Sequence, residues 1–487
     1  MMNKPKLKTI GELKANNYKT KTLNQEITDN LRSNLSKGIN VFENLIGYEE
    51  TVIPNVERAF LSNHSINLLG LRGQAKTKLA RTCIDLLDEW IPVIKGSETN
   101  DDPLNPIFKS SIEKIKINGE KTEIDWIHRS ERFYEKLATP DVTISDLIGD
   151  IDPIKATNLK LSYSNEEVIH FGLIPRAHRS IFVLNELPDL QPRIQVSLFS
   201  ILEEKEIQIR GFKVRLPLDI QFIFTSNPED YTNRGTIVTP LKDRIGSQIL
   251  THYPETIEIA KKITEQESKI KSKIKSKIYI PEIARDIIEQ ISFEARDSDL
   301  VDRKSGVSAR LSITSLQNLI SSAERRMIIN NEKQTSIRMS DFNSVISSIN
   351  GKVELVYEGE EEGAEQVSYN LISDAIKSLF NKYFPKIEKL SKPDENSPYD
   401  SLLEWFTQKQ LIINDNQKNN EYQELLMEVK DARSLIDIYL PELDDNDKFF
   451  FIEFILWGLE AFNKLTIQRT NNGIEFKDPF NNFINKI

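Results

Sequence analysis

Cysteine is almost missing: the 487 residues contain a single one, Cys83. One thiol excludes an intrachain disulfide, and with it a stapled secreted scaffold. Glycine (18) and proline (20) are both scarce for this length, which excludes collagen-like and low-complexity chains. Long apolar runs are also lacking. The densest, Phe449–Trp457, is short and carries Glu453, whereas a spanning helix needs about 20 apolar residues. The basic N-terminus (MMNKPKLKTIGELKANNYKTK) has no apolar segment behind it and does not read as a secretory leader. The expectation is therefore a cytoplasmic chain without a membrane partner. Positive charge is in deficit, since 64 Lys and Arg against 74 Asp and Glu leave a net −10, which disfavours broad nucleic-acid binding. What is present is a 39% hydrophobic chain, enough to build roughly three cored domains at about 150 residues each.

Texture divides the chain. Residues 1–40 are polar and Lys/Asn/Ser-rich and read as a loosely attached helical arm. From Val41, short apolar runs alternate with helical patterns, the signature of an α/β core. Ile66–Leu69, Ile181–Leu184 and Ile220–Thr225 read as buried strands, and Thr77–Trp90 and Arg193–Glu204 as helices with one apolar face. A Lys/Ser/Ile stretch (ESKIKSKIKSKIYIP) follows and reads as a solvated face or linker. Helices are expected from Pro281 to about Arg296 and over Leu311–Met327, in a smaller helical domain. Glu358–Glu365 (EGEEEGAE) marks an acidic linker, and beyond it the chain is helical in pattern and aromatic-rich. The expected divisions are 1–40, 41–255, 256–350, 351–366 and 367–487.

The sharpest motif is Gly70-Leu71-Arg72-Gly73-Gln74-Ala75-Lys76-Thr77, which follows a buried strand and opens an amphipathic helix. That is the context of a P-loop, in which backbone N–H groups and the helix N-terminus wrap phosphates. Lys76 would reach the β/γ oxygens and Thr77 would offer its hydroxyl to Mg²⁺. Ala75 stands where the pattern wants glycine, and the loop tolerates it provided φ stays negative there. A second strand ends in Asn185-Glu186. A carboxylate at a strand's C-terminal edge, beside the P-loop strand, is placed to polarise the water that attacks a γ-phosphate. Glu186 is thus the candidate base, and Asn185 occupies a position near the metal without bringing charge. A third strand ends in Asn227, placed to hold the attacking water from the other side, although Asn-Pro is also an ordinary turn starter.

These residues bring a family into view. The stretch from about Val41 to Met327 resembles AAA+ ATPases of the helix-2-insert clade, which contains the magnesium-chelatase ATPase subunit and the MoxR proteins. The segments carrying it are DLIGDIDPIKA, HFGLIPRAHRSIFVLNELPDL, SLFSILEEKEIQIRGF, TSNPEDYTNRG, TPLKDRIGSQILTHYP and SGVSARLS. The resemblance implies an α/β fold: an αβα core with a parallel sheet, a helical lid and, here, an extra mainly helical C-terminal region. It places Ile46, Gly47 and Tyr48 by the adenine, and Gly70, Gly73, Lys76 and Thr77 as Walker A with Arg72, Gln74 and Ala75 in the same loop. It makes Asn185 and Glu186 Walker B, Asn227 sensor 1, Arg244 (LKDRIG) an arginine finger and Arg310 (GVSAR) sensor 2. ATP and Mg²⁺ are the implied cofactors. A finger acting in trans implies a ring, expected to be hexameric. Residues 155–172 would form the helix-2 insert, and Glu206–Arg215 alternates like a hairpin before sensor 1. No Asp-x-Ser-x-Ser motif is present, so an integrin-type metal-site domain would have to come from a separate partner protein.

Three functions compete on this reading. The first is a ring ATPase that remodels a partner or assists metal insertion. The second, suggested by Asn185 and Ala75, is a nucleotide-gated scaffold with little or no turnover. The third is nucleic-acid remodelling through Arg210, Lys213 and Arg215 of the hairpin, against which the acidic balance argues. Without the resemblance, Arg244 could be a surface ion pair with Asp243, and Arg310 could simply cap its helix.

Overall fold

The computed structural model describes residues 4–159, 168–204, 206–209, 215–228, 235–387, 397–470 and 473–479. The chain divides into two compact units, Met1–His252 and Tyr253–Ile487.

In the first unit five parallel strands form one sheet: β1 (Ile66–Leu69), β2 (Phe133–Leu137), β3 (Ser180–Asn185), β4 (Ile220–Ser226) and β5 (Ser247–Leu250), ordered β5-β1-β4-β3-β2. The three expected strands are among them. Their apolar residues alternate between two cores, because successive strand side chains point to opposite faces. Phe182, Leu184, Phe222 and Phe224 pack with Leu187, Ile194, Leu198, Ile201 and Leu241. Ile66, Leu68, Ile181, Val183 and Ile223 pack on the opposite side. A sheet buried on both faces needs helices on both, which gives the αβα layering.

Helix α1 (Leu23–Ser36) belongs to that second core. It opens with a capping box between Thr22 and Gln25 and buries Leu23, Ile27 and Leu31, one turn apart. It is an integral layer of the unit rather than a loosely attached arm. Glu26 on the same face makes a two-pronged ion pair with Arg132 at 2.6 and 2.7 Å.

Helix α2 (Lys76–Thr82) is shorter than expected. It tightens into a 3₁₀ turn over Cys83–Leu86, and Trp90 then begins a strand, Trp90–Ile94, paired antiparallel with Ile124–His128. A helical pattern through Trp90 mistakes strand residues for the next helical turn; the chain has already turned extended at Leu87, with ψ 152°. Helices α3 (Phe199–Glu203) and α4 (Thr239–Arg244) flank the sheet's other side through Ile201 and Leu241. The Arg193–Glu204 helix is present in two pieces, Pro192–Ser197 and α3.

The two expected insertions are described in part. Glu206–Gln208 and Arg215–Pro217 pair antiparallel as the arms of the hairpin. Arg210, Lys213 and the Arg215 side chain lie outside the described residues. Of residues 155–172, the helix Pro153–Leu159 and the short strand Ile169–Phe171 are described; 160–167 are not.

The second unit is mainly helical: α5 (Ile257–Ser268), α6 (Glu282–Asp297), α7 (Arg310–Ile329), α8 (Ala364–Tyr383) and α9 (Asp445–Ala461), with a three-stranded antiparallel sheet of Leu411–Asn414, Gly473–Lys477 and Thr466–Thr470. Helices α6 and α7 share one core with α8 and α9, through Ile287, Leu319, Phe380 and Phe454. The acidic run is helical too, over Tyr357–Glu362. The apolar run Phe449–Trp457 lies in α9, which is buried from Phe450 to Leu459, and among the described residues no helix is long and apolar enough to cross a membrane.

Candidate functional site

Strand register brings the motif residues to one edge. Leu69 of β1 pairs with Ser226 of β4, and Phe224 of β4 pairs with Leu184 of β3. Gly70, Asn227 and Asn185-Glu186 therefore leave the sheet together at its C-terminal edge, where open parallel sheets bind ligands. The strand ending in Asn185-Glu186, β3, is not beside β1, contrary to the expectation from the sequence; β4 lies between them. Asn227 consequently sits between the P-loop and Glu186.

The loop itself is built from backbone. The Gly70 N–H donates to the Ser226 carbonyl at 3.1 Å. A Cβ on Gly70 would lie 2.0 Å from Thr251 Oγ1 and 2.2 Å from Gln74 Oε1, so only glycine fits. Gln74 is buried and accepts from the Thr251 hydroxyl at 2.7 Å, which ties the loop to the end of β5. Gly73 and Ala75 both adopt left-handed backbone, with φ 76° and 53°. The expectation of a negative φ at Ala75 is therefore wrong. The turn into α2 demands the left-handed conformation, which an L-residue adopts at a cost of about 1–2 kcal/mol.

Lys76 begins α2, and its ammonium folds back onto the carbonyls of Gly70 and, at 3.0 Å, Leu71. Thr77 follows in the first turn. Tyr48 is buried with its hydroxyl donating to the Gln74 carbonyl at 2.7 Å and lying 3.0 Å from the His252 carbonyl, so the segment Ile46-Gly47-Tyr48 is fastened to the loop. Gly47 takes φ 86° there, and Ile46 is half-buried. Arg72 is half-buried within the same loop.

At the end of β3, Thr225 of β4 joins Asn185 and Glu186. Its hydroxyl accepts the Glu186 N–H and donates to Asn185 Oδ1, each at 3.1 Å. Glu186 is left-handed (φ 56°, ψ 50°), the kind of strain that persists where surrounding contacts over-determine the backbone. The Asn185 amide nitrogen donates to Glu135 Oε1 of β2 at 2.6 Å. Glu135 Oε2 accepts from Arg81 Nε and Nη2 of α2 at 3.1 and 2.7 Å. Neither Glu135 nor Thr225 is among the candidates from the sequence; the available signals are a carboxylate inside the run FYEKL and the first of two hydroxyls ending IQFIFTS.

The donor set suits Mg²⁺, a hard cation that takes oxygen ligands and keeps several waters. Thr77 offers a hydroxyl, Asn185 an amide oxygen, and Glu135 a carboxylate in contact with that amide. Among the described residues no group of three or more His, Cys, Asp and Glu could hold a metal without such help.

The two candidate arginines belong to different units. Arg244 ends α4 and pairs with Glu203 of α3 at 2.7 Å, not with Asp243; its Nη1 donates to the Pro240 carbonyl and its guanidinium lies 5.1 Å from the Phe199 ring centroid. It is held by three groups yet 29% exposed. Arg310 is exposed at the first position of α7, in the second unit, its N–H donating to Ser308 Oγ at 3.2 Å.

Comparison with known proteins bears on this arrangement. Residues 126–245 match the family model for the AAA domain of the dynein-related subfamily. The matched span holds Asn185, Glu186, Asn227 and Arg244, while Gly70–Thr77 precedes it. Among solved structures, a candidate ATPase from Cytophaga hutchinsonii is 18% identical, with 74% of this chain and 97% of that chain covered at a TM-score of 0.30. NtrX from Brucella abortus in complex with ADP is 14% identical, with 72% and 66% covered at 0.39. A complex of the BchI and BchD subunits of magnesium chelatase gives 16% identity, with 66% and 98% covered at 0.36. Residues 126–245, which carry strands β2, β3 and β4 of the parallel sheet, are thus similar to an AAA domain of the dynein-related subfamily.

Proposed function

We propose that this protein binds ATP with Mg²⁺ at the Gly70–Thr77 loop and hydrolyses it as a ring-forming motor of the magnesium-chelatase/MoxR type, remodelling a partner protein or assisting metal insertion. The observation that supports the reading most is the register that sends Gly70, Asn227 and Glu186 off one sheet edge. The triphosphate would lie against the loop N–H groups and the start of α2. Lys76 would exchange the carbonyls of Gly70 and Leu71 for β/γ oxygens. Ile46, Gly47 and Tyr48, fastened to the loop, would flank the base.

Glu186 would take the proton of the attacking water, and Asn227 would orient that water from β4. Bound Mg²⁺ would neutralise charge developing on the phosphate oxygens, held by Thr77 and, through water, Asn185. Arg244 would act on the γ-phosphate of an adjoining subunit. Its exposure, together with anchoring by Glu203 and Phe199, suits a group that must be presented outward in a fixed place. Arg310, opening the lid helix α7, would report the nucleotide state to the second unit. The setting is the cytoplasm, with a separate partner that carries an integrin-type metal-site domain.

A nucleotide-gated scaffold with weak turnover is the second reading, favoured by the neutral Asn185 and by the left-handed Ala75. Hydrolysis assays at ring-forming concentration decide between the two. Lys76→Ala abolishes nucleotide binding on either reading. Glu186→Gln binds ATP and loses at least about a hundredfold in turnover on the first; a wild type no faster than this variant establishes the scaffold. Arg244→Ala is inactive alone and recovers part of its rate when mixed with Glu186→Gln, because mixed interfaces pair an intact base with an intact finger.

A further inference from the structure

Replacing a Walker B aspartate by Asn185 removes one negative charge from the metal side of the site. The fold carries a carboxylate next to that position, on a different strand. Glu135 pairs with Val183 and Leu137 with Asn185, in parallel register. Residues two apart on a strand share a face, so Glu135 and Asn185 project to the same side of the sheet. That is the side covered by α2, as the reach of Arg81 to Glu135 shows. The Asn185 side chain is fixed at both ends, its oxygen accepting from Thr225 and its nitrogen donating to Glu135.

We infer that Glu135 is a positioning residue for the metal: its carboxylate, acting through the Asn185 amide, supplies the negative charge that favours Mg²⁺-bound over metal-free nucleotide. The inference rests on the reading of Gly70–Thr77 as a triphosphate site. Three features support it. The Glu135–Asn185 contact, at 2.6 Å, is short for a hydrogen bond from a neutral amide, as expected when the acceptor is charged. Acceptance by Glu135 polarises the amide and draws electron density toward Oδ1, whose second lone pair, beyond the Thr225 hydrogen bond, would meet metal-bound water. The opposing charge, Arg81, is 61% exposed against 23% for Glu135, so water screens the cation more than the carboxylate. Outer partners of this kind commonly change metal affinity by about 10–100-fold.

The alternative role for Glu135 is mechanical: anchoring α2 through Arg81. The two roles separate in binding measurements that need no turnover. Affinity of the full chain for ATP is measured by calorimetry in excess Mg²⁺ and again in EDTA, and the ratio is the readout. Glu135→Gln is expected to lower that ratio about tenfold, with the EDTA affinity unchanged within about twofold. Glu135→Gln combined with Asn185→Asp restores it by returning the charge to β3. Arg81→Ala leaves it intact. A ratio unchanged in Glu135→Gln, one reduced as much by Arg81→Ala, or one not restored in the double variant overturns the inference. A wild-type ratio of one overturns it while leaving the triphosphate site standing. Wild type that binds no ATP in either buffer removes both. Melting temperatures of all variants, read alongside, separate loss of metal coupling from loss of fold.

Discussion

Ala75 shows how a single side chain can sit against its backbone. The loop's turn into α2 requires φ 53° there, and alanine meets that requirement only under strain. Glycine relieves about 1–2 kcal/mol of steric cost and gives back about 0.4–1 kcal/mol through a freer unfolded chain. Ala75→Gly is therefore expected to raise the unfolding free energy of the first unit by about 0.5–1 kcal/mol, measured by urea denaturation. A branched replacement, Ala75→Val, should lower it by more than that. An Ala75→Gly protein less stable than wild type would show that the left-handed turn is not strained. At this scale the sequence is informative where a motif fixes spacing: Gly70, Lys76, Asn185, Glu186 and Asn227 are legible because strand, turn and helix recur in a known order. Glu135 and Thr225 are not, since their partners lie 50 and about 40 residues away, across a strand pairing that no local pattern encodes.

Elements depend on the same distinction. Helix α1 looks detached in the sequence because its apolar positions are few among Lys, Asn and Ser. Its attachment comes from those few apolar residues, Leu23, Ile27 and Leu31, together with a charge. Glu26 is 5% exposed at its side chain and Arg132 wholly buried; the guanidinium also donates to the Arg179 carbonyl, and Glu26 accepts the Asp88 N–H. One carboxylate thus joins α1, the loop before Trp90, and the segments leading into β2 and β3. Removing one member of a buried pair leaves the other uncompensated, which typically costs about 3–5 kcal/mol. Glu26→Ala is expected to lose that much of the first unit's stability in denaturant titrations, and Glu26→Ala with Arg132→Met to recover a large part. A double variant no better than Glu26→Ala would place the value of the contact in α1's packing instead. Similar reasoning explains the short α2. The face Leu79, Ala80, Cys83 is apolar and buried, as its pattern indicates, but the strand that follows from Trp90 is fixed by antiparallel pairing with Ile124–His128, a partner distant in sequence.

Across the whole molecule, buried ionisable groups shape the response to acid, and a buried histidine and a buried carboxyl act in opposite directions. In the first unit His178 is buried 41 residues before its partner, the Asp219 N–H, which donates to Nδ1 at 3.1 Å. Burial, with a smaller push from Arg179, lowers its pKa from 6.5 to about 3. The folded state therefore holds His178 neutral, while the unfolded chain takes up a proton below about pH 6.5. Its contribution is fully present above that value and falls by about 1.4 kcal/mol for each pH unit down towards 3. In the second unit Glu453 of α9 and Glu289 of α6 are buried, and burial raises both carboxyls above their usual range. Those groups favour the folded state while protonated, and that contribution is lost as pH rises through their folded values. Unit boundaries such as these are hidden in the sequence because composition changes at the acidic run Glu358–Glu365, whereas the shared core runs straight past it from Ile287 to Phe454. Calorimetry between pH 7.5 and 4.5 tests the assignment. His178→Asn keeps an acceptor for the Asp219 N–H but cannot be protonated. Relative to wild type, the transition of the first unit should lose about 2–3 kcal/mol less stability between pH 6.5 and 4.5. A variant whose acid loss parallels that of the wild type would show that His178 is not the group taking up the proton.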